Sequence, residues 1–334
     1  MLMVSSRTPE SLPPGTLPMR DRIPRRFHFV FGLRPQTEPF HLAHYLCLAS
    51  CLGVNRPEAI HFHYEHEPWG EYWERIKPLL TLQRVLGERF RADARYTDPE
   101  LARYSYAHHA DFLRLEILVR EGGVYADIDT LFVKPLAGEL FSKPFVMGHE
   151  RVDSTRSEAR LGGSLCNAFI MSAPQAEFGR RWIGSMDAEF DGSWSRHSTF
   201  LPYRLSCEHP ELIHVEPESS FFKLDWSRGG IADLFERNRA DTQDVYSLHL
   251  WQHLWWESRR VDYSRFHAGR LTPAYVRHAE TTFARLARRF LPEDLQASAS
   301  RLCLEAATSW PAATARYSGA RLRRGLLRLR GACS

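Results

Sequence analysis

Hydrophobic and polar positions along the chain switch between two periods. "RFHFVFGL" (Arg26 to Leu33) is an apolar run closed by glycine and predicts a first strand. "PFHLAHYLCLASCLGV" (Pro39 to Val54) opens on proline, nears glycine at its end and spaces its apolar residues helically. "EAIHFHYEHEP" (Glu58 to Pro68) alternates like a strand, and Trp69 to Leu86 reads as helical pieces interrupted at Pro78. "RFRADARYTD" (89–98) predicts strand and loop. A long helix over Ala107 to Arg120 follows, stopped by Gly122 and Gly123. This order of strand, helix, strand, helix, strand predicts an α/β domain with a mostly parallel central sheet flanked by helices.

The second half is less regular. Strands are predicted at Pro144 to Glu150 and at Leu165 to Pro174, the latter running into a helix at Gln175. "DVYSLHLWQHLWW" (Asp244 to Trp256) is dense in His and Trp. Spacing is helical from Thr272 to Leu291. No internal repeat is present.

A chain of 334 residues can form one large α/β domain or two smaller ones. With 43% hydrophobic and 25% charged residues it reads as globular and soluble. No apolar run reaches the roughly 20 residues needed to span a bilayer. Residues 1–22 read as a flexible Pro-rich leader without the apolar core of a secretory signal. Of the six cysteines, Cys47 and Cys51 lie one helical turn apart and are expected to be buried thiols in a reducing cytoplasm. No Cys and His set has zinc-ligand spacing, and His61, His63 and His66 read as ordinary strand and loop residues.

Net charge is +4, from 44 basic and 40 acidic residues. Six of the arginines follow Glu305 with no acid among them, so the rest of the chain carries 38 basic against 40 acidic residues. A near-neutral body argues against a nucleic-acid-binding surface. The basic end places Leu322, Leu326 and Leu329 on one helical face among arginines. Such a segment can lie weakly on an anionic membrane face, or it can be a soluble terminal helix or tail.

Two features carry chemistry. Asp111 and Arg114 sit three apart in a helix whose other residues are apolar nearly all round, so both are expected to be buried. They either pair structurally or line a polar pocket. Asp127 and Asp129 lie two apart in the strand-like run "GGVYADIDTLFVKPL", so their carboxylates are expected to project together from a strand end. Like charges held together repel unless a proton or cation lies between them. On that ground, removing one should cost the metal-free protein nothing. Oxygen ligands of this kind suit Mg²⁺ or Mn²⁺, which often bridge carboxylates to phosphates.

The block "HHADFLRLEILVREGGVYADIDTLFVKPL" resembles the sugar-binding DXD region of GT-A glycosyltransferases. That group, similar to glycosyltransferase family 32, includes initiating α-1,6-mannosyltransferases, α-1,4-galactosyltransferases and clostridial glucosylating toxins. Asp111, Arg114, Gly122, Gly123, Tyr125, Asp127 and Asp129 match its pattern. "LCNAFIMSAPQAEF" resembles a further family strand and maps Asn167. "HLWQHLWW" maps His249, Trp251 and Trp255, with Leu254 where the family often has serine.

The resemblance covers roughly residues 23 to 260. It implies a GT-A nucleotide-diphospho-sugar transferase fold, with a domain over 23–270 and a helical extension with a basic tail over 271–334. It implies a donor such as a UDP-sugar or GDP-sugar, a glycan, lipid-linked or small-molecule acceptor, retention of anomeric configuration and Mn²⁺ or Mg²⁺ as cofactor. Asp127 and Asp129 would be catalytic, and Asp129 and His249 would ligate the metal. Asp111, Arg114, Tyr125, Asp127, Asn167 and Trp255 would bind the donor, with His249 and Trp255 alternatively core aromatics and Asn167 alternatively a structural hydrogen bond. Two rival classes remain at this stage. One is a haloacid-dehalogenase-like phosphatase with Asp127 as nucleophile, which "DIDTL" mimics away from its usual first-strand position. The other is a non-catalytic nucleotide-sugar-binding protein.

Overall fold

The structure is a computed structural model that describes residues 23–85, 104–152, 162–239, 244–260 and 262–295, together with positions 96, 241 and 242. The Pro-rich leader, nearly all of 89–98 and the basic tail fall outside the described residues.

The first half runs β1 (Arg26–Val30), α1 (Leu42–Asn55), β2 (Ala59–Tyr64), α2 (Glu71–Ile76), β3 (Thr81–Arg84), α3 (Ser105–Glu121), β4 (Gly123–Ala126) and β5 (Thr130–Phe132). The second half runs β6 (Phe145–His149), β7 (Leu165–Ser172), α4 (Glu177–Glu189), α5 (Leu201–Glu208), β8 (His214–Glu216), α6 (Glu218–Phe221), α7 (Arg228–Phe235), β9 (Ser247–His249), α8 (Pro273–His278) and α9 (Thr282–Ala287). Seven strands form one sheet in the order β3-β2-β1-β4-β7-β6-β8, and β5 pairs with β9 in a second, two-stranded sheet. In the large sheet only the β4–β7 and β7–β6 pairings are antiparallel. The expected α/β fold with a mostly parallel sheet is therefore present.

Burial explains the apolar runs. Phe27, Phe29, Ile60 and Phe62 lie in the core with Leu46, Cys47 and Cys51 of α1 and Trp73 of α2. Each such large side chain removed from water contributes about 1.5–3 kcal/mol. Cys47 and Cys51 are buried free thiols.

Several boundaries differ from the sequence reading. Proline does not start α1: His41 caps it, with Nδ1 accepting from the Ala43 N–H. Nor does Gly53 end it; the helix runs on to a left-handed Arg56. Thr81–Arg84 is a parallel edge strand, although the segment reads as helical. Residues 272–291 form two short helices and a final 3₁₀ turn, because Thr272 and Thr281 each cap a new helix N-terminus. Arg120 pairs with its neighbour Glu121.

The largest difference concerns the aspartate pair. The strand-like run is two strands in two sheets, and Asp127–Asp129 forms the turn between them. Asp127 N–H still donates to the Ala168 carbonyl of β7 at 2.9 Å, and Thr130 N–H closes back on the Asp127 carbonyl at 3.0 Å.

Candidate active site

Close backbone packing fixes where the turn lies. Gly122 ends α3 with its N–H on the Leu118 carbonyl and adopts φ 65°. A Cβ at Gly122 would lie 2.6 Å from Pro174 Cδ, and one at Gly123 (φ 108°) 2.7 Å from the Arg26 carbonyl oxygen. Only glycine fits both the conformation and the space. The helix can therefore turn directly into β4 at the sheet centre, which carries Tyr125 and leads into Asp127.

Beyond the turn, β5 pairs with β9 in a register that puts Thr130 opposite His249. This pairing brings a residue 120 positions away onto the aspartates. His249 Nε2 lies 3.0 Å from Asp129 Oδ1 and 3.7 Å from Asp127 Oδ2. Asp129 Oδ2 also accepts the Gln252 backbone N–H at 2.8 Å. Trp251 holds that loop in a left-handed conformation (φ 54°) and anchors its indole N–H on the Leu224 carbonyl at 2.8 Å. A non-glycine residue there stores on the order of 1 kcal/mol of strain, a cost often seen at functional positions.

The two carboxylates are not equivalent. Burial pushes Asp127 up; Arg114 and His249 oppose that, and the neighbouring Asp129 charge adds to it. Burial would raise Asp129 too, but the His249 charge, its hydrogen bond and the Gln252 N–H hold it well below the usual carboxylate range. His249 shows the reciprocal effect: burial lowers it, and Asp129 and Asp127 raise it above its ordinary value. Asp127, Asp129 and His249 each offer a ligand atom within 4.8 Å of the others. Two carboxylate oxygens and an imidazole nitrogen suit Mn²⁺, and the carboxylates alone suit Mg²⁺.

A second network leads from this pair into α3. Arg114 Nη2 bonds Asp111 Oδ1 at 3.0 Å, and Arg114 Nη1 lies 3.4 Å from Asp127 Oδ1. Nη1 also donates to the Asn167 carbonyl at 2.7 Å, and the guanidinium lies over the Tyr125 ring at 4.6 Å. The Asn167 amide donates to Asp111 Oδ1 at 2.7 Å, and Tyr125 Oη donates to Asp127 Oδ1 at 2.7 Å. Asp111 and Arg114 are only 8% and 5% exposed, so almost all their charge is satisfied inside the protein. Of the two alternatives for this pair, the structural ion pair is present, and it contacts Asp127 through Arg114.

Asp111, Arg114, Tyr125, Asp127, Asn167, Asp129 and His249 come together. Trp255 does not join them. It is fully buried with Phe235 and Phe266, and its indole N–H donates to the Leu250 carbonyl. The structure also adds residues that the sequence did not single out. His197, in a π-helical turn (Arg196–Phe200), meets Asp111 Oδ2 at 3.0 Å. Gln252 serves Asp129 through its backbone and His44 through its side chain. Glu150, raised by burial, accepts from Ser164 Oγ at 2.6 Å and acts electrostatically on His249. Long-range pairing brings these residues in, and no local spacing signals it.

Residues 42–152 match the family described as a glycosyltransferase sugar-binding region containing a DXD motif. Glucan organizing enzyme 1 of Cryptococcus neoformans var. grubii serotype A is 34% identical over 299 residues, covering 86% of this chain and 76% of that relative. O-glycosyltransferase PaGT of Phomopsis amygdali is 28% identical over 158 residues, covering 45% of this chain and 33% of that relative. The solved PaToxG glycosyltransferase is 16% identical with a TM-score of 0.39, covering 57% of this chain and 71% of that one.

Proposed function

Since the chain belongs to the glycosyltransferases whose sugar-binding region contains a DXD motif, we propose that it moves a sugar from a nucleotide-diphospho-sugar, a UDP-sugar in preference to a GDP-sugar, to a glycan, lipid-linked or small-molecule acceptor with retention of anomeric configuration. Family membership makes it an enzyme of glycosyl transfer with a GT-A framework and sets aside the phosphatase and non-catalytic readings.

The observation that carries the donor reading is the convergence of Asp127, Asp129 and His249 at the turn where the chain leaves the central sheet. Ligands of open α/β sheets bind beyond the carboxyl ends of the strands, and this turn follows the end of β4. Asp129 and His249 would hold Mn²⁺ or Mg²⁺, which supplies Lewis-acid stabilisation of a departing diphosphate. His249 presents Nε2 to both carboxylates, the nitrogen that would ligate the cation once it has given up its proton. Asp127, held by Tyr125 and Arg114, is oriented to receive hydroxyl groups of the donor. Asp111 and Arg114 set that orientation and face the sugar, with Asn167 and His197 bracing Asp111.

The test is a panel of UDP- and GDP-sugars with Mn²⁺, scored for binding by calorimetry and for donor hydrolysis. A UDP-sugar that binds and is hydrolysed only with the cation is the expected outcome. If none of the panel binds or turns over, the donor assignment is overturned.

A further inference from the structure

Behind the active-site turn, on the face of the sheet beneath the end of α3, lies a second cluster. β1 and β2 are parallel with His28 opposite His61. His61 and His63, two apart, point to the same side of β2. One ring nitrogen from each of His28, His61 and His63 lies within 4.8 Å of the other two. His28 and His63 are buried, and His61 lies nearer the surface. Glu121, the last residue of α3, brings Oε2 to 3.6 Å from His61 Nδ1.

The hydrogen bonds define which nitrogens are available. His28 Nε2 meets the Gly122 carbonyl at 3.0 Å, so Nε2 carries the proton and Nδ1 is a bare lone pair. Facing it at 3.1 Å is His63 Nε2. Two nitrogens on one tetrahedral Zn²⁺, at about 2.0–2.1 Å each, are about 3.3 Å apart. His61 Nδ1 is buried with no hydrogen-bond partner and faces a carboxylate. A hydrogen bond between His28 and His63 accounts for that pair; His61 Nδ1 has only the 3.6 Å contact to Glu121 and no hydrogen bond. Burial first, then neighbouring imidazoles, lower His28 to about 4 and His63 to about 3, and burial lowers His61. All three are therefore neutral at pH 7, the form that ligates.

We propose that His28, His61 and His63 form a binding site for a zinc-type divalent cation, distinct from the aspartate site, with Glu121, whose Oε1 is held by Arg120, swinging its free Oε2 in as the fourth ligand. Three imidazoles and one carboxylate match the ligand types that select Zn²⁺ over Mg²⁺. The His28 N–H on the Gly122 carbonyl is the outer contact that orients a ligating imidazole. On binding, His63 moves its proton from Nε2 to Nδ1, so no net proton is released. The site would join the β1–β2 edge to the end of α3 just before Gly122 and Gly123. It would stiffen the turn that delivers Asp127 and Asp129. The Glu121 side chain, 25% exposed, gives the ion an entry path.

The test is Zn²⁺ content after incubation and desalting, with Asp129→Asn used to disable the aspartate site. Asp129→Asn should retain one Zn²⁺ per chain, and Asp129→Asn/His61→Gln none. Zn²⁺ should raise Tm only in the first. His61 is near the surface, so its substitution is compatible with folding. The wild-type and His61→Gln proteins, compared in excess Mg²⁺, repeat the test without Asp129→Asn. Equal Zn²⁺ content with and without His61, or no Zn²⁺ in either, would overturn the site. Donor hydrolysis with Mn²⁺ is read separately, so failure here and failure of the donor assignment are distinguishable.

Discussion

Asp129 is held from three sides: by His249, by the Gln252 N–H, and through its own carbonyl by the Leu250 N–H at 2.9 Å. Sequence reasoning about two repelling carboxylates predicts that losing one costs the metal-free protein nothing. The structure predicts the opposite, because His249 is a built-in countercharge. Asp129→Ala should destabilise the metal-free protein by on the order of 3 kcal/mol, read by urea unfolding in EDTA at pH 7. Unchanged stability would mean the pair with His249 is not formed. Asp111 gives a test with a pH signature. Burial raises it, but Arg114 and then His197 outweigh that and leave it below its ordinary value. A lowered folded-state pKa stabilises above the unfolded value of about 3.9 and loses that contribution as pH falls through the folded value. Asp111→Asn should therefore be less stable than wild type at pH 7 by about 1–3 kcal/mol, with the gap narrowing below pH 4. Under the proposed donor reading Asp111 would face the sugar, so the same variant should lose more affinity for a nucleotide-sugar than for the free nucleoside diphosphate. Calorimetry giving equal losses would confine Asp111 to a structural role.

At the scale of elements, the helix before the motif was legible because apolar residues ran round α3 and two glycines stopped it. β1, β2, β6 and β7 were legible as short apolar runs with glycine or proline nearby. What escaped was any feature decided by a distant partner. β5 reads as a continuation of β4, yet its partner is β9, and nothing local reveals the change of sheet. β3 was missed because its pattern of exposed and half-buried residues lacks a buried face. The Gly122–Gly123 hinge ties these elements together. Gly122→Ala would place a Cβ against Pro174 and in a left-handed conformation, so it should cost at least about 2 kcal/mol and reduce activity by displacing β4. Gly184→Ala, in α4 with nothing within 4 Å of its Cβ, is the control and should be neutral or stabilising. Thermal unfolding of both variants checks this. Equal Tm values would remove the steric argument for the hinge.

Across the whole molecule, the fold class and most of the acidic centre could be read from the sequence, since Asp111, Arg114, Tyr125, Asp127 and Asp129 fall within one stretch. His197 and the His28–His61–His63 group could not, because the tertiary fold alone brings them together. Described residues 271–295 pack on the body: Arg289 Nη2 donates to the Val133 carbonyl at 2.7 Å, and Asp294 pairs with Arg75 at 2.7 Å. No described helix is long and apolar enough to cross a membrane. The leucine and arginine pattern after Ala320 lies outside the described residues. Its predicted weak membrane contact is checked by co-sedimentation of full-length and truncated protein with anionic vesicles, where only the full chain should pellet at low salt. Equal pelleting would remove the tail as an anchor. The central claim is that Asp129 belongs to a cation-dependent donor site. It is tested most directly by the rate of UDP-sugar hydrolysis with Mn²⁺ and with EDTA, in wild type and in folded Asp129→Asn. Wild type should turn over only with Mn²⁺, and Asp129→Asn should be slower by about 100-fold or more, the scale of a lost charge-stabilising group. Full turnover by Asp129→Asn, or wild-type turnover undiminished in EDTA, would contradict it.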